Sequence, residues 1–216
     1  MTIKTTARAA LAAALAALTV WGVSESAGSA ARESAASPAR DGAAPLHRHA
    51  TGKFDQRLAR QLARARVATA PYVSDLERAK ADGYRIITPM IKDMGFHYLN
   101  PGITGFDVTK PHILVYTRRD GKYQLGALEW VFPKKPKHPP LKGARYGSFP
   151  AACHFDDGTF ATASSEADCP KTSPESGSAF VFWHPKLVTF HVWLWSPNPD
   201  GLYSGTNPLM RPFNGG

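Results

Sequence analysis

Tyr116-Thr117-Arg118-Arg119-Asp120-Gly121-Lys122-Tyr123-Gln124-Leu125 sets Asp-Gly between two β-rich runs. Asp-Gly there is the strongest short-range hairpin signal, because both central residues of the tight turn need positive φ. A two-residue turn pairs Arg119 with Lys122 and Tyr116 with Leu125, and the count continued places His112 opposite Glu129. Side chains alternate with period two, so Tyr123, Leu125, Ala127, Glu129 and Val131 share one face with Leu114 and Tyr116 of the partner strand. That face is mostly apolar, so Glu129 is expected to be a buried carboxylate. Such a group is costly unless it is paired, hydrogen-bonded or bound to a metal.

Outward from the hairpin, short β-rich runs separated by Pro, Gly, Asn and Asp predict further strands near 84–91, 95–99, 179–184 and 187–195, with the hairpin arms at 111–118 and 122–132. Residues 133–150, with Pro133, Pro136, Pro139, Pro140 and Pro150, cannot form a central strand and are expected to be a surface loop. Upstream, Phe54, Leu58 and Leu62 recur every four residues, which predicts a helix over Lys53–Ala70 ending near Pro71. Ser74 followed by Asp75 and Glu77 suggests a capping box for a second helix at 75–82, stopped by Gly83. The expected class is α+β: amino-terminal helices packed on an antiparallel sheet or partial barrel, with Pro-rich loops. Residues 53–216 form its single domain.

Three histidines lie in β runs among apolar neighbours and can meet Glu129: His97, His191 and, by the hairpin count, His112. The Lys110-Pro111 strand end could turn His112 away. On the last strand His191 alternates with Leu187, Trp193 and Trp195, which points it inward. Two or three strand-borne imidazoles with one carboxylate match ligand sets used by zinc, iron and copper. Glu129 with two or three of His97, His191 and His112 is therefore the candidate set of metal ligands. They are scattered along the chain, with no compact His-Glu-x-x-His motif. His154, beside Cys153 and before Asp156-Asp157-Gly158, is a further candidate delivered by a tethered loop. That Asp-rich turn lacks the spaced oxygens and terminal Glu of a calcium loop. No Gly-x-Ser-x-Gly elbow supports a serine hydrolase, and Glu129 has no second buried carboxylate with which to cleave glycosides.

The first 30 residues read as a signal peptide: Lys4 and Arg8, an apolar run of 15 residues from Ala9 to Val23, then small residues allowing cleavage after Ala27 or Ala30. That run is shorter than the roughly 20 residues of a membrane-spanning helix, and no later stretch is apolar enough to span. Residues 31–52 read as a flexible basic leader, in which His47 and His49 are expected to be solvated. The chain carries a formal net charge of +9. Its positive excess collects at the front and in the Pro-rich loop, without a nucleic-acid-binding signature, which favours an anionic cell-wall or envelope surface over nucleic acid. Cys153 and Cys169, the two cysteines, are expected to pair in an oxidising compartment. The reading is thus of a secreted or extracytoplasmic protein.

Met94-Gly95-Phe96-His97-Tyr98, Asn100-Pro101, Leu128-Glu129-Trp130-Val131, His191-Val192-Trp193-Leu194-Trp195, Asn198-Pro199 and Asn207-Pro208 follow in an order that resembles a family of exported bacterial proteins of unassigned activity. The resemblance spans about residues 68–210. It implies that His97, Glu129 and His191 form one functional set, and it supplies no substrate. Residues 145–178 depart from the pattern, so His154 is not carried over. Together these readings point to a secreted metal-binding protein or small metalloenzyme. The alternative is a non-catalytic envelope or polysaccharide-binding module. In it, the His and Glu residues form a core network and exposed rings among Trp183, Trp193, Trp195, Tyr98, Tyr116, Tyr123 and Tyr203 stack on glycans.

Overall fold

In the computed structural model, which describes residues 55–213, the Asp120-Gly121 turn has both residues at positive φ, +49° and +76°. It joins β3 (Ile113–Arg119) to β4 (Lys122–Phe132), with Arg119 opposite Lys122 and Tyr116 opposite Leu125 as expected. The register then shifts. Val115 pairs with Ala127, so Gly126 is an extra residue on β4, and Ile113 rather than His112 lies opposite Glu129. The freed Gly126 carbonyl accepts the amides of Trp195 and Ser196, each at 3.1 Å. A side chain on Gly126 would approach Ser196 Oγ to 3.3 Å and the Trp193 ring to 3.5 Å. A bulge reverses the face of everything beyond it. Leu125 stays with Tyr116, while Ala127, Glu129 and Val131 move to the face of Ile113 and Val115.

Four more strands extend the hairpin: β1 (Arg85–Ile86), β2 (Phe96–Leu99), the short edge strand β5 (Gly147–Phe149) and β9 (Leu187–Val192). The resulting sheet is antiparallel, in the order β1-β2-β3-β4-β9-β5. β1 ends at Ile86 and is shorter than the expected 84–91. β9 ends at Val192, where the Leu194 amide bonds back to the Val192 carbonyl. β5 corrects the expectation that all of 133–150 is loop, and it occupies an edge, where proline-flanked strands are tolerated. The sheet is not closed into a barrel, which settles that alternative in favour of an open α+β fold.

Leu114, Tyr116, Leu128, Trp130, Phe190 and Val192 form one buried face of this sheet and pack with Ala65, Leu76 and Ala79 of the helices. Helix α1 (Gln56–Thr69) starts at Asp55, whose carboxylate accepts the Leu58 amide. Helix α2 (Leu76–Ala81) is capped by Asp75 through the Arg78 amide, not by the Ser74 capping box expected from the sequence. Asp75 wins because its side chain already reaches the amide three residues on.

Ile113, Val115, Ala127 and Trp193 line the opposite face. A second, three-stranded sheet is built from β6 (Ala152–Phe155), β7 (Phe160–Thr162) and β8 (Phe180–His184), in the order β7-β6-β8. Residues 152–155 and 160–162, for which no strand is expected from the sequence, are therefore strand. Cys153 is disulfide-bonded to Cys169 across a separation of 16 residues. Closing a loop of that length is worth about 3 kcal/mol, mainly by restricting the unfolded chain. A Cys153→Ala/Cys169→Ala double variant is accordingly expected to lose about 3 kcal/mol in urea unfolding; an unchanged midpoint would show that the bridge constrains nothing.

Candidate metal centre

Register alone brings the three candidate ligands to one face. His97 pairs with Val115 on β3, Val115 with Ala127 on β4, and Glu129 lies directly opposite His191 on β9. All three side chains are buried, at 5%, 3% and 7% exposure. His97 Nε2 is 3.6 Å and His191 Nε2 3.4 Å from the same carboxylate oxygen, Glu129 Oε2. One ligand atom from each residue lies within 4.8 Å of the others. These spacings are long for a hydrogen bond. They suit atoms surrounding a common ion: tetrahedral ligands at zinc distances are about 3.3 Å apart.

The second contact of the His97 imidazole prepares it for this role. His97 Nδ1 lies 3.0 Å from Thr88 Oγ1, a buried hydroxyl that also accepts the His97 amide at 3.2 Å. With Nδ1–H donating to that oxygen, the Nε2 lone pair faces Glu129, the tautomer a metal ligand needs. His191 Nε2 is buried with no hydrogen-bond partner among the described residues, a rare condition for a native polar atom and one that a bound ion would relieve.

Burial sets the charges. Loss of solvation raises the Glu129 carboxyl to about 8. It lowers His191 to about 4, and, helped by the neighbouring His191, lowers His97 to about 3. At neutral pH both rings are therefore neutral lone-pair donors, and Glu129 is the group that would ionise on binding a cation. This buried group could hold a metal ion.

The face carrying these residues is one wall of an apolar cavity of about 530 Å³ between the two sheets. His154 lies on the other wall, 1% exposed, with Nδ1 2.7 Å from the Ile87 carbonyl. It is a buried residue of strand β6, not part of the tethered loop expected from the sequence. His112 is not brought to the group. Its Nδ1 accepts the Val131 amide at 3.1 Å and its Nε2 donates to the Gly105 carbonyl at 2.6 Å, so both nitrogens are committed to backbone.

Sequence reasoning missed Thr88 and His184. His184 ends the run Phe180-Val181-Phe182-Trp183-His184, where period two puts it on the face of Phe182. Its partner strand β6 carries no readable period, so the direction of His184 has no reference along the chain. Among the aromatic residues proposed for glycan stacking, Tyr98, Tyr116 and Trp193 are buried and the other four are half-buried. The large exposed apolar side chains among the described residues are Val67, Val181 and Leu209.

No helix among the described residues is long and apolar enough to cross a membrane. No family model matches the chain, and neither a curated protein nor a solved structure matches it.

Proposed function

We propose that this is an extracytoplasmic metal-binding protein in which His97, Glu129 and His191 hold a divalent zinc, iron or copper ion on the wall of the apolar cavity. The observation that carries this reading is the orphaned His191 Nε2 beside two further ligand atoms. Three protein ligands leave room at the ion, so the bound metal would supply Lewis acidity to a polar group entering the cavity, as in a small hydrolytic or oxidative metalloenzyme. Thr88 holds the His97 tautomer, and the apolar walls keep bulk water off and receive the non-polar part of a guest. Secretion rests on the signal-like amino terminus and on the disulfide, which persists in oxidising compartments. The basic leader suits an anionic envelope surface as partner. The glycan-binding alternative loses support, because no row of exposed rings exists among the described residues.

Metal analysis of untagged protein tests the reading. One equivalent lost in both Glu129→Ala and His191→Ala is the expected result, and an unchanged metal content in either variant would remove that residue from the site. Affinity should also depend on pH. Glu129 is protonated below about 8, so each ion bound there displaces one proton. Affinity is then expected to rise roughly tenfold per pH unit up to about 8 and to flatten above it. Competition with a chromophoric chelator between pH 6 and 9 measures this, and a flat profile would exclude Glu129 as a ligand.

A further inference from the structure

On the opposite cavity wall, His154 and His184 face each other with their Nε2 atoms 3.0 Å apart. His154 Nδ1 lies 2.7 Å from the Ile87 carbonyl and His184 Nδ1 lies 2.7 Å from the Pro185 carbonyl. A carbonyl oxygen only accepts, so each Nδ1 carries its proton and each neutral ring turns its Nε2 lone pair toward the other. Two lone pairs at that distance repel unless a cation lies between them or beside both.

We propose that His154 and His184 form a second metal subsite, binding a divalent first-row transition ion through both Nε2 atoms. With metal–nitrogen bonds of about 2.1 Å, a 3.0 Å separation subtends about 90° at the ion. That is the cis angle of octahedral or tetragonal coordination, the preference of copper and nickel rather than of tetrahedral zinc. The Nδ1–H to carbonyl bonds are the outer contacts that orient metal-binding imidazoles. Cross-strand geometry holds the pair. His154 lies opposite Phe182 and His184 opposite Ala152 on adjacent strands, so the two rings are diagonal neighbours on one face. Phe182 stacks on His154 at 4.7 Å between ring centroids, fixing its plane. Burial lowers the proton affinity of both rings, His154 to about 4. A shared proton is thus a poor substitute for the ion at neutral pH. The remaining coordination positions are left to solvent or to a guest in the cavity.

This subsite is independent of the His97-Glu129-His191 group, and one experiment separates the two. The full chain, with His47→Ala and His49→Ala to remove the leader histidines, is stripped of metal and titrated with Cu(II) and with Zn(II), and bound equivalents are counted after equilibrium dialysis. Two equivalents of Cu(II) are expected. His184→Ala, at the half-buried member of the pair, should lose one of them or weaken it at least tenfold, and Glu129→Gln should lose the other. His154→Gln provides a second variant with the same expected loss as His184→Ala, and circular dichroism checks that each variant is folded. A single equivalent lost in Glu129→Gln and kept in His184→Ala would overturn the second subsite alone. One lost in His184→Ala and kept in Glu129→Gln would overturn the first alone, and no bound metal would overturn both.

Discussion

Glu129→Gln is expected to abolish ion binding at the triad and, at the same time, to stabilise the metal-free protein relative to wild type as pH rises. Both effects come from one buried carboxyl. Its pKa is raised from the ordinary 4.5 to about 8 in the fold. Between those values the folded chain binds more protons at this position than the unfolded chain does. Stability from this group is therefore fully present below about pH 4.5 and is lost progressively up to about pH 8, where the folded chain must carry an unpaired buried charge. Each pH unit across that window costs about 1.4 kcal/mol, a few kcal/mol in all. Glutamine keeps the shape and removes the titration. Urea unfolding in the presence of a chelator at pH 5, 6.5 and 8 should show wild type falling away from the variant, and parallel curves would mean that Glu129 is solvated or otherwise paired. With the ion present the order should invert, because only wild type gains the linkage stabilisation of a bound ligand. On the proposed reading the carboxylate destabilises the empty fold and would be tolerated for the ion it binds.

The second large effect is expected at Gly95, two residues before His97. Gly95 has φ +136°, and a Cβ there would stand 2.2 Å from the Tyr116 carbonyl oxygen and 3.0 Å from its carbon. The obstacle is backbone of β3, which cannot swing aside as a side-chain tip would. The dihedral itself is open almost only to glycine. Gly95→Ala should cost more than about 3 kcal/mol, the combined scale of a strained dihedral and an overpacked core. It should also weaken metal binding by pushing β2, and His97 with it, away from Glu129. Gly177→Ala is the control: φ is +78° but nothing lies within 4 Å, so only the left-handed penalty of about 1–2 kcal/mol applies. Equal losses in the two variants would show that the close approach of Gly95 to β3 carries no weight.

The face of Glu129 marks the limit of reading along the chain. Counting from the Asp120-Gly121 turn correctly pairs Arg119 with Lys122 and Tyr116 with Leu125. It then loses one residue at Gly126, which puts Glu129 opposite His112 and among Tyr116 and Leu125. The expectation of a buried carboxylate survives because β4 is covered on both faces, by helices on one side and by the second sheet on the other. Ala127 and Val131 stay beside Glu129, but its neighbours from β3 become Ile113 and Val115 instead of Leu114 and Tyr116. A glycine inside a strand is a signal for a bulge, but whether the bulge forms depends on Trp195 and Ser196, some 70 positions later, donating to the freed carbonyl. The second sheet is illegible for another reason. β6 and β7 have four and three residues, too few for a period to be read, and their direction is set by Cys169, Phe180 and Phe182 arriving from elsewhere in the chain.

What the sequence determined by itself is therefore local: a hairpin turn demanded by Asp-Gly, two helices with their stops, a pair of cysteines in bridging reach and an acid that had to lie inside. Tertiary structure alone decided that His191 is the residue opposite that acid, that His112 is tied to backbone, and that His184 meets His154 on the opposite wall of the cavity. The first group depends on dihedral preference and periodicity within a few residues. The second depends on register between strands far apart in the chain, and register is settled by packing and by which distant amide reaches a free carbonyl.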